Sequence, residues 1–144
     1  MGKILAIDYG SVRIGIAVSG GSGSIAFGKQ ALSNDNKAIG KIKKLVSGEG
    51  ISQIILGYPL NLKGEKTHQT LEVESFEEKL KSGFSSDDFK HVIITRWDER
   101  FTSKMAADSM IESGMKKKKR RDKSNIDIIS AAILLQSYLD SKRK

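Results

Sequence analysis

The 144-residue sequence contains no cysteine, a single proline and only two histidines. Without cysteine there is no disulfide framework and no thiolate metal site, which is compatible with a cytoplasmic protein. His68 and His91 do not have metal-ligand spacing, so no imidazole site is expected either. No apolar run approaches the ~20 residues that a membrane span needs. The N-terminus leads directly into a strand rather than through a signal peptide. There is no internal repeat and no linker long enough to divide the chain, so one domain over residues 1–144 is expected. Net charge is also scarce over most of the length. Residues 1–113 carry 15 basic and 14 acidic side chains, a balance of +1.

The charge that is present lies at the end. Residues 114–144 carry 10 basic and 3 acidic side chains, a balance of +7 out of the total +8. Seven of the eight residues from Lys116 to Lys123 are positive. Such asymmetry points to a polyanion, nucleic acid above all, although a basic run can also be a solvated loop. Lys116, Lys117, Lys118, Lys119, Arg120, Arg121 and Lys123 are thus candidates for neutralising backbone phosphates without reading sequence.

Hydrophobic patterning sets out the elements. Ile4 to Ile7 is a short continuous apolar run, the mark of a strand buried on both faces. Asp8 then stands where that strand leaves the core. Tyr9-Gly-Ser11 turns the chain into a second strand from Val12 to Val18, and Ile25 to Leu32 gives a third. Ser33-Asn-Asp-Asn36 offers caps for a helix through Ile39, Ile42, Leu45 and Val46, ended by Gly48 and Gly50. Ile51 to Leu56 is a strand stopped by Gly57-Tyr-Pro59. Asn61 to Thr67 reads as a loop, and an acidic helix through Leu71, Val73, Phe76 and Leu80 ends near Gly83. His91 to Thr95 is a last strand, followed by Arg96-Trp-Asp-Glu-Arg100. A helix capped by Thr102 or Ser103 runs to about Ser113, and a final, largely apolar helix runs from about Asn125 to Ser141.

The order β-β-β-α-β-α-β-α-α predicts an α/β fold. Its mixed five-stranded sheet has three antiparallel strands, then two parallel ones joined by right-handed crossovers, with flanking helices. In that topology the ends of strands one, four and five open on one edge. Asp8, Gly57-Tyr-Pro59 and Asp98-Glu99 therefore meet there.

Asp8 and Glu99 can share that edge, and Asp127, placed in the first turn of the final helix beside Ala131, Leu134 and Tyr138, is a third candidate. Converging carboxylates repel unless compensated. Mg²⁺ or Mn²⁺, which favour oxygen ligands, would resolve this and support phosphodiester hydrolysis. Each acid also has a plain structural role. Asp8 can form the turn, Ser124-Asn-Ile-Asp127 matches a capping box, and Glu99 can be an exposed loop acid. Trp97 can stack on a base or anchor its strand.

Four blocks, in order and spanning essentially the whole chain, resemble the YqgF family, also called RuvX. Asp8-Tyr-Gly-Ser-Val-Arg-Ile-Gly-Ile-Ala17 is similar to its opening Asp-x-Gly-x-Lys-Arg-Ile-Gly block, with Val12 in place of the usual lysine and Arg13 retained. Gly57-Tyr-Pro-Leu-Asn-Leu-Lys-Gly64 is similar to its Gly-x-Pro loop. Asp98-Glu-Arg-Phe-Thr-Ser103 matches its Asp-Glu-Arg-x-Thr block, and Ile126-Asp-Ile-Ile-Ser-Ala-Ala-Ile-Leu-Leu-Gln136 its closing helix. The resemblance implies a ribonuclease H-like three-layer fold with Asp8, Glu99 and Asp127 as the acidic, metal-binding catalytic triad. It also implies maturation of the precursor of 16S ribosomal RNA or, in the older view, Holliday-junction cleavage.

The expectation is a cytoplasmic, divalent-metal-dependent nuclease. Its partner is nucleic acid, structured RNA ahead of a four-way DNA junction, and a monomer and a homodimer are both open. Arg13 is a further candidate for contacting substrate phosphates, and Arg100 and Thr102 are candidates either for that or for supporting the metal-binding acids from behind. A nucleic-acid-binding module without catalysis is the rival from another class. An actin-like ATPase, suggested by the Asp-x-Gly hairpin, would need a duplicated fold and a second phosphate loop that the chain does not offer.

Overall fold

The computed structural model describes residues 2–101 and 123–142. Five strands form one sheet: β1 (Lys3–Asp8), β2 (Arg13–Ser19), β3 (Ala26–Ser33), β4 (Ile51–Tyr58) and β5 (Ile93–Asp98). Their spatial order is β3-β2-β1-β4-β5. β1 and β2 pair antiparallel, as do β2 and β3, whereas β4 runs parallel to β1 and β5 parallel to β4. The expected mixed sheet is therefore present, with β1 at its centre.

Two periodicities build the layers. Along β1 and β2 the large side chains Leu5, Ile7, Ile14, Ile16 and Val18 face one way. They meet helices α1 (Ala38–Glu49) and α2 (His68–Gly83) through Ile42, Val46, Val73, Phe76 and Leu80. The intervening residues are small. Ala6, Ala17 and Ala26 face helix α3 (Lys123–Ser141), with Ala131, Ala132, Leu135 and Tyr138 packed against them. Gly15 and Gly28 continue that small-residue face. A Cβ on Gly15 would collide with the Asp127 carbonyl, and one on Gly28 with the Ile128 side chain. The sheet is thus bulky on one face and shallow on the other, and α3 lies close against it.

Several boundaries differ from the sequence reading. α1 runs through Gly48 and stops at Gly50, whose φ of 68° is the left-handed conformation that ends helices cheaply in glycine. Its N-cap is Lys37, with no side-chain cap, rather than a residue of the Ser33–Asn36 cluster. α2 begins at His68, three residues before the apolar face, because Thr67 and Thr70 form a reciprocal capping box. β5 begins at Ile93 rather than His91 and extends to Asp98, since pairing with β4 continues to Tyr58↔Asp98. Ser124 is already helical within α3, so it is not the N-cap and the capping-box reading of Ser124 to Asp127 does not hold. The helix expected over 102–113, Thr102 and the basic residues 116–121 lie outside the described residues.

Candidate active site

Asp8 is the last residue of the central strand and is cross-strand partner to Gly15. Strand alternation puts its side chain on the same face as Ala6, toward α3. Glu99 follows the end of β5 immediately and opens a short 3-10 turn (Glu99–Phe101). Its carboxylate lies over Gly57 of β4, where an added Cβ would stand 2.9 Å from Glu99 Oε1 and 3.0 Å from Leu134 Cδ2. Gly57 thus leaves the space through which Glu99 reaches back over the sheet to Asp8, and the two carboxyls share a hydrogen bond.

Two carboxyls in contact and partly shielded from water cannot both ionise cheaply. Burial, then the Glu99 charge and its hydrogen bond, then the charge of Asp127, push Asp8 up to about 8. Burial, and secondarily Asp98, raises Glu99 as well, while its hydrogen bond with Asp8 acts the other way. The two carboxyls therefore favour sharing a proton over carrying two charges.

Asp127 comes near enough to be felt at Asp8, but its own partner is a cation. Arg13 Nε donates to Asp127 Oδ2 at 2.7 Å. The sequence placed Arg13 among the substrate contacts; here it holds the third acid. Among the described residues, no three acidic or histidine side chains close into a cage for a metal ion. The structure brings Asp8 and Glu99 together and keeps Asp127 beside them in an ion pair.

Arg100, another expected substrate contact, is also engaged. Its Nη2 donates to Asp98 Oδ2 at 2.6 Å, and its backbone N–H to Asp98 Oδ1 at 2.9 Å. These bonds hold the Asp98 carboxyl below its ordinary value despite some burial. The guanidinium lies against Gly64, where a Cβ would come within 3.1 Å of Nη1. Gly64 has φ 82° and turns the loop after β4, which a Leu60↔Lys66 bridge also closes.

Behind the edge a second charge network, not anticipated from sequence, fixes the register of β4 and β5 against α2. Arg96 donates to Glu77 at 2.9 and 2.7 Å, and its guanidinium lies 4.4 Å from the centre of the Tyr58 ring. Tyr58 donates its hydroxyl to Glu74 at 2.8 Å. Glu77 is only 5% exposed, and the Arg96 hydrogen bonds keep its carboxyl below the usual range. Trp97 anchors its strand, packing edge-on to Tyr138 at 5.3 Å.

The donor set fits a hard divalent cation. It is oxygen only, two carboxyls already touch, and they hold a proton where a cation would serve both. Arg13 occupies only Oδ2 of Asp127, so Oδ1 could serve as a further ligand.

A five-stranded mixed sheet in three layers, with Asp8 at the end of its central strand and Glu99 just past β5, has the ribonuclease H-like fold. Solved structures share that fold at low identity. They include T. thermophilus RuvC in complex with a Holliday junction substrate, at TM-score 0.62 and 11% identity over 99% of this chain and 98% of that one. Fowlpox virus resolvase with junction DNA gives TM-score 0.62 and 13% identity, covering 99% of both chains. At the sequence level, the RuvX profile, described as Holliday junction resolvase, matches residues 2–141. A Flavobacterium psychrophilum protein named "Putative pre-16S rRNA nuclease" is 40% identical over 142 residues, 99% of each chain. A protein of the same name from Bacteroides thetaiotaomicron is 40% identical over 143 residues, again 99% of each. The chain belongs to the RuvX family, and with that membership comes the class of activity, a nuclease.

Proposed function

We propose that this chain is a divalent-metal-dependent nuclease that cleaves phosphodiester bonds in the precursor of 16S ribosomal RNA, in the cytoplasm. The observation that carries the proposal is the Asp8–Glu99 pair, two hydrogen-bonded carboxyls at the mouth of the central strand with Asp8 raised to about 8. Asp8, Glu99 and Asp127 are the residues that would hold Mg²⁺ or Mn²⁺. When bound, such an ion supplies the Lewis acidity that favours attack of water on phosphorus and departure of the ester oxygen. The protein does the positioning. Gly57 gives Glu99 its path to Asp8, Gly15 lets α3 bring Asp127 close, and the Asp98–Arg100 chelate fixes the turn that carries Glu99. Arg13, paired with Asp127, is a cation beside the place where the reacting phosphate would lie. The basic residues Lys116–Arg121 and Lys123 would bind flanking phosphates.

Cleavage of a four-way DNA junction is the second reading. It is favoured by the family's description and by fold neighbours captured with junction substrates. Both readings are tested by giving wild-type protein and Asp8→Asn labelled precursor 16S RNA, unrelated single-stranded RNA and a four-way DNA junction, each with Mg²⁺, Mn²⁺ or EDTA. The expected result is metal-dependent cutting of the precursor RNA, lost in EDTA and reduced at least about a hundredfold in Asp8→Asn. Preferential cutting of the junction would select the second reading. Binding without cutting by the folded wild-type protein would identify a binding module instead.

A further inference from the structure

The end of β1 presents a different surface on each side. Asp8 faces α3, and Tyr9, one residue on, belongs with Leu5 and Ile7 on the side of α1 and α2. On that side a cavity of about 470 Å³ opens between the turn after β1, the start of α1 and the middle of α2. Its floor is apolar and aromatic. The Tyr9 ring packs on Phe76 with centroids 5.0 Å apart and planes inclined at 40°, and Ile39 closes the base. Its rim carries the side-chain amides of Asn34 and Asn36, together with Ser75 and Lys79.

The turn carrying Tyr9 is held in place. Asn34 donates its side-chain amide to the Gly10 carbonyl at 2.8 Å and its backbone N–H to the Val12 carbonyl at 2.9 Å. The cavity wall is therefore preorganised.

The volume falls within the roughly 300–1,000 Å³ of small-molecule sites and exceeds what one nucleobase needs. An aromatic floor offers a surface to any base, because every base has a π-face. The Asn36 amide can both donate and accept, as hydrogen bonding to base edges requires. Asn34, its amide hydrogens spent on the Gly10 and Ser11 carbonyls, can still accept. Charge argues against a phosphate as occupant. Two acids, Asp35 and Glu72, line the rim against the single lysine, Lys79. Both acids have local partners: Asp35 accepts from the Lys37 N–H at 2.9 Å, and Glu72 pairs with His68 at 3.0 Å. A neutral, flat, hydrogen-bonding group suits this cavity better than an anion.

Resting on the nuclease reading above, we propose that the cavity is a base-binding subsite. It receives one unpaired nucleobase of the substrate strand, splayed out of its stack, from a nucleotide near the scissile phosphate. A strand crossing the sheet edge from the Asp8 side to the Tyr9 side places its phosphate at the carboxyls and the base in the cavity. The substrate around the cleavage point is therefore single-stranded or opened.

The test is a binding cycle between protein and strand, run in EDTA so that nothing is cut. Short single-stranded RNA and DNA oligonucleotides, each with one abasic position moved stepwise along the strand, are titrated by fluorescence anisotropy. The proteins are wild type, Tyr9→Ala and Asn36→Ala. Asn36 is exposed, so its variant guards against a folding defect in Tyr9→Ala. A stacked base is worth about 1–3 kcal/mol, or roughly five- to 150-fold in affinity. The expected result is one position where removing the base weakens wild-type binding about tenfold, a penalty that Tyr9→Ala abolishes and Asn36→Ala reduces. Equal penalties at all positions, or one that persists unchanged in both variants, overturns the subsite while leaving the nuclease reading intact. Wild-type protein that binds no strand at all likewise overturns the subsite, while the nuclease reading stands or falls on the metal-dependent cleavage assay.

Discussion

A protonated aspartate at the end of the central strand gives the folded protein a pH dependence whose sign follows from its pKa. The carboxyl titrates at an ordinary 3.8 when unperturbed and at about 8 in the fold. Between those values the folded state keeps a proton that the unfolded chain has lost. Stability therefore falls as pH rises through that window and levels off above it. Each pKa unit corresponds to about 1.4 kcal/mol, so the cost by pH 8 is roughly a few kcal/mol. Asp8→Asn preserves the shape and cannot ionise. In EDTA its melting temperature is expected to exceed that of wild type by a margin that grows between about pH 5 and pH 8. Mg²⁺ or Mn²⁺ is expected to narrow the gap by binding only the wild-type carboxylates well. Parallel melting curves for the two proteins across that range would show that Asp8 is not held protonated.

At the scale of elements, two glycines make a contrasting pair. Gly57 lies in β4 under Glu99 and Leu134, with 2.9 and 3.0 Å available to a Cβ, whereas Gly40 in α1 has nothing within 4 Å. Gly57→Ala must displace the carboxylate or the leucine. Overpacking of this kind costs roughly 1–3 kcal/mol, and cleavage is expected to fall more than stability alone explains. Gly40→Ala is expected to raise stability by about 0.5–1 kcal/mol through helix propensity and to leave cleavage unchanged. Denaturant titration and the precursor-RNA assay check both, and a Gly57→Ala protein with wild-type cleavage would remove Glu99 from the site. This contrast also marks what the sequence could reveal. The strand order and the shared edge were readable, because apolar runs and short connections leave few topologies. That Asp8, Gly57 and Glu99 would meet followed from topology alone. Local pattern could not give partners chosen over long separations. The pairing of Arg13 with Asp127 spans 114 positions, and Glu77 reads as one more surface acid until Arg96 is seen across the layer. β5 was placed too early for the same reason. Arg96-Trp-Asp98 looks polar, and only the ladder with β4 draws it into the sheet.

Taken whole, the molecule separates its tasks along the chain. Residues 1–113 build the sheet and supply Asp8 and Glu99 at nearly zero net charge, while residues 114–144 carry +7 and supply Asp127. If the basic run binds phosphates as proposed, its contribution must appear as salt dependence, because each neutralised phosphate releases condensed counterions. For a single strand the logarithm of the binding constant falls with the logarithm of salt at about 0.7 per phosphate contacted. Replacing Lys116, Lys117, Lys118 and Lys119 together with glutamine removes up to four such contacts, so the slope should become shallower by about 3. The loss of affinity should be similar on unrelated sequences, since phosphate contacts carry no sequence information. Cutting at saturating protein should change little, because the carboxyls are untouched. Anisotropy titrations of wild type and the fourfold variant over a series of KCl concentrations measure both slopes. Lines that stay parallel would mean that the run meets solvent rather than phosphate, and that the polyanion is held by the sheet edge alone.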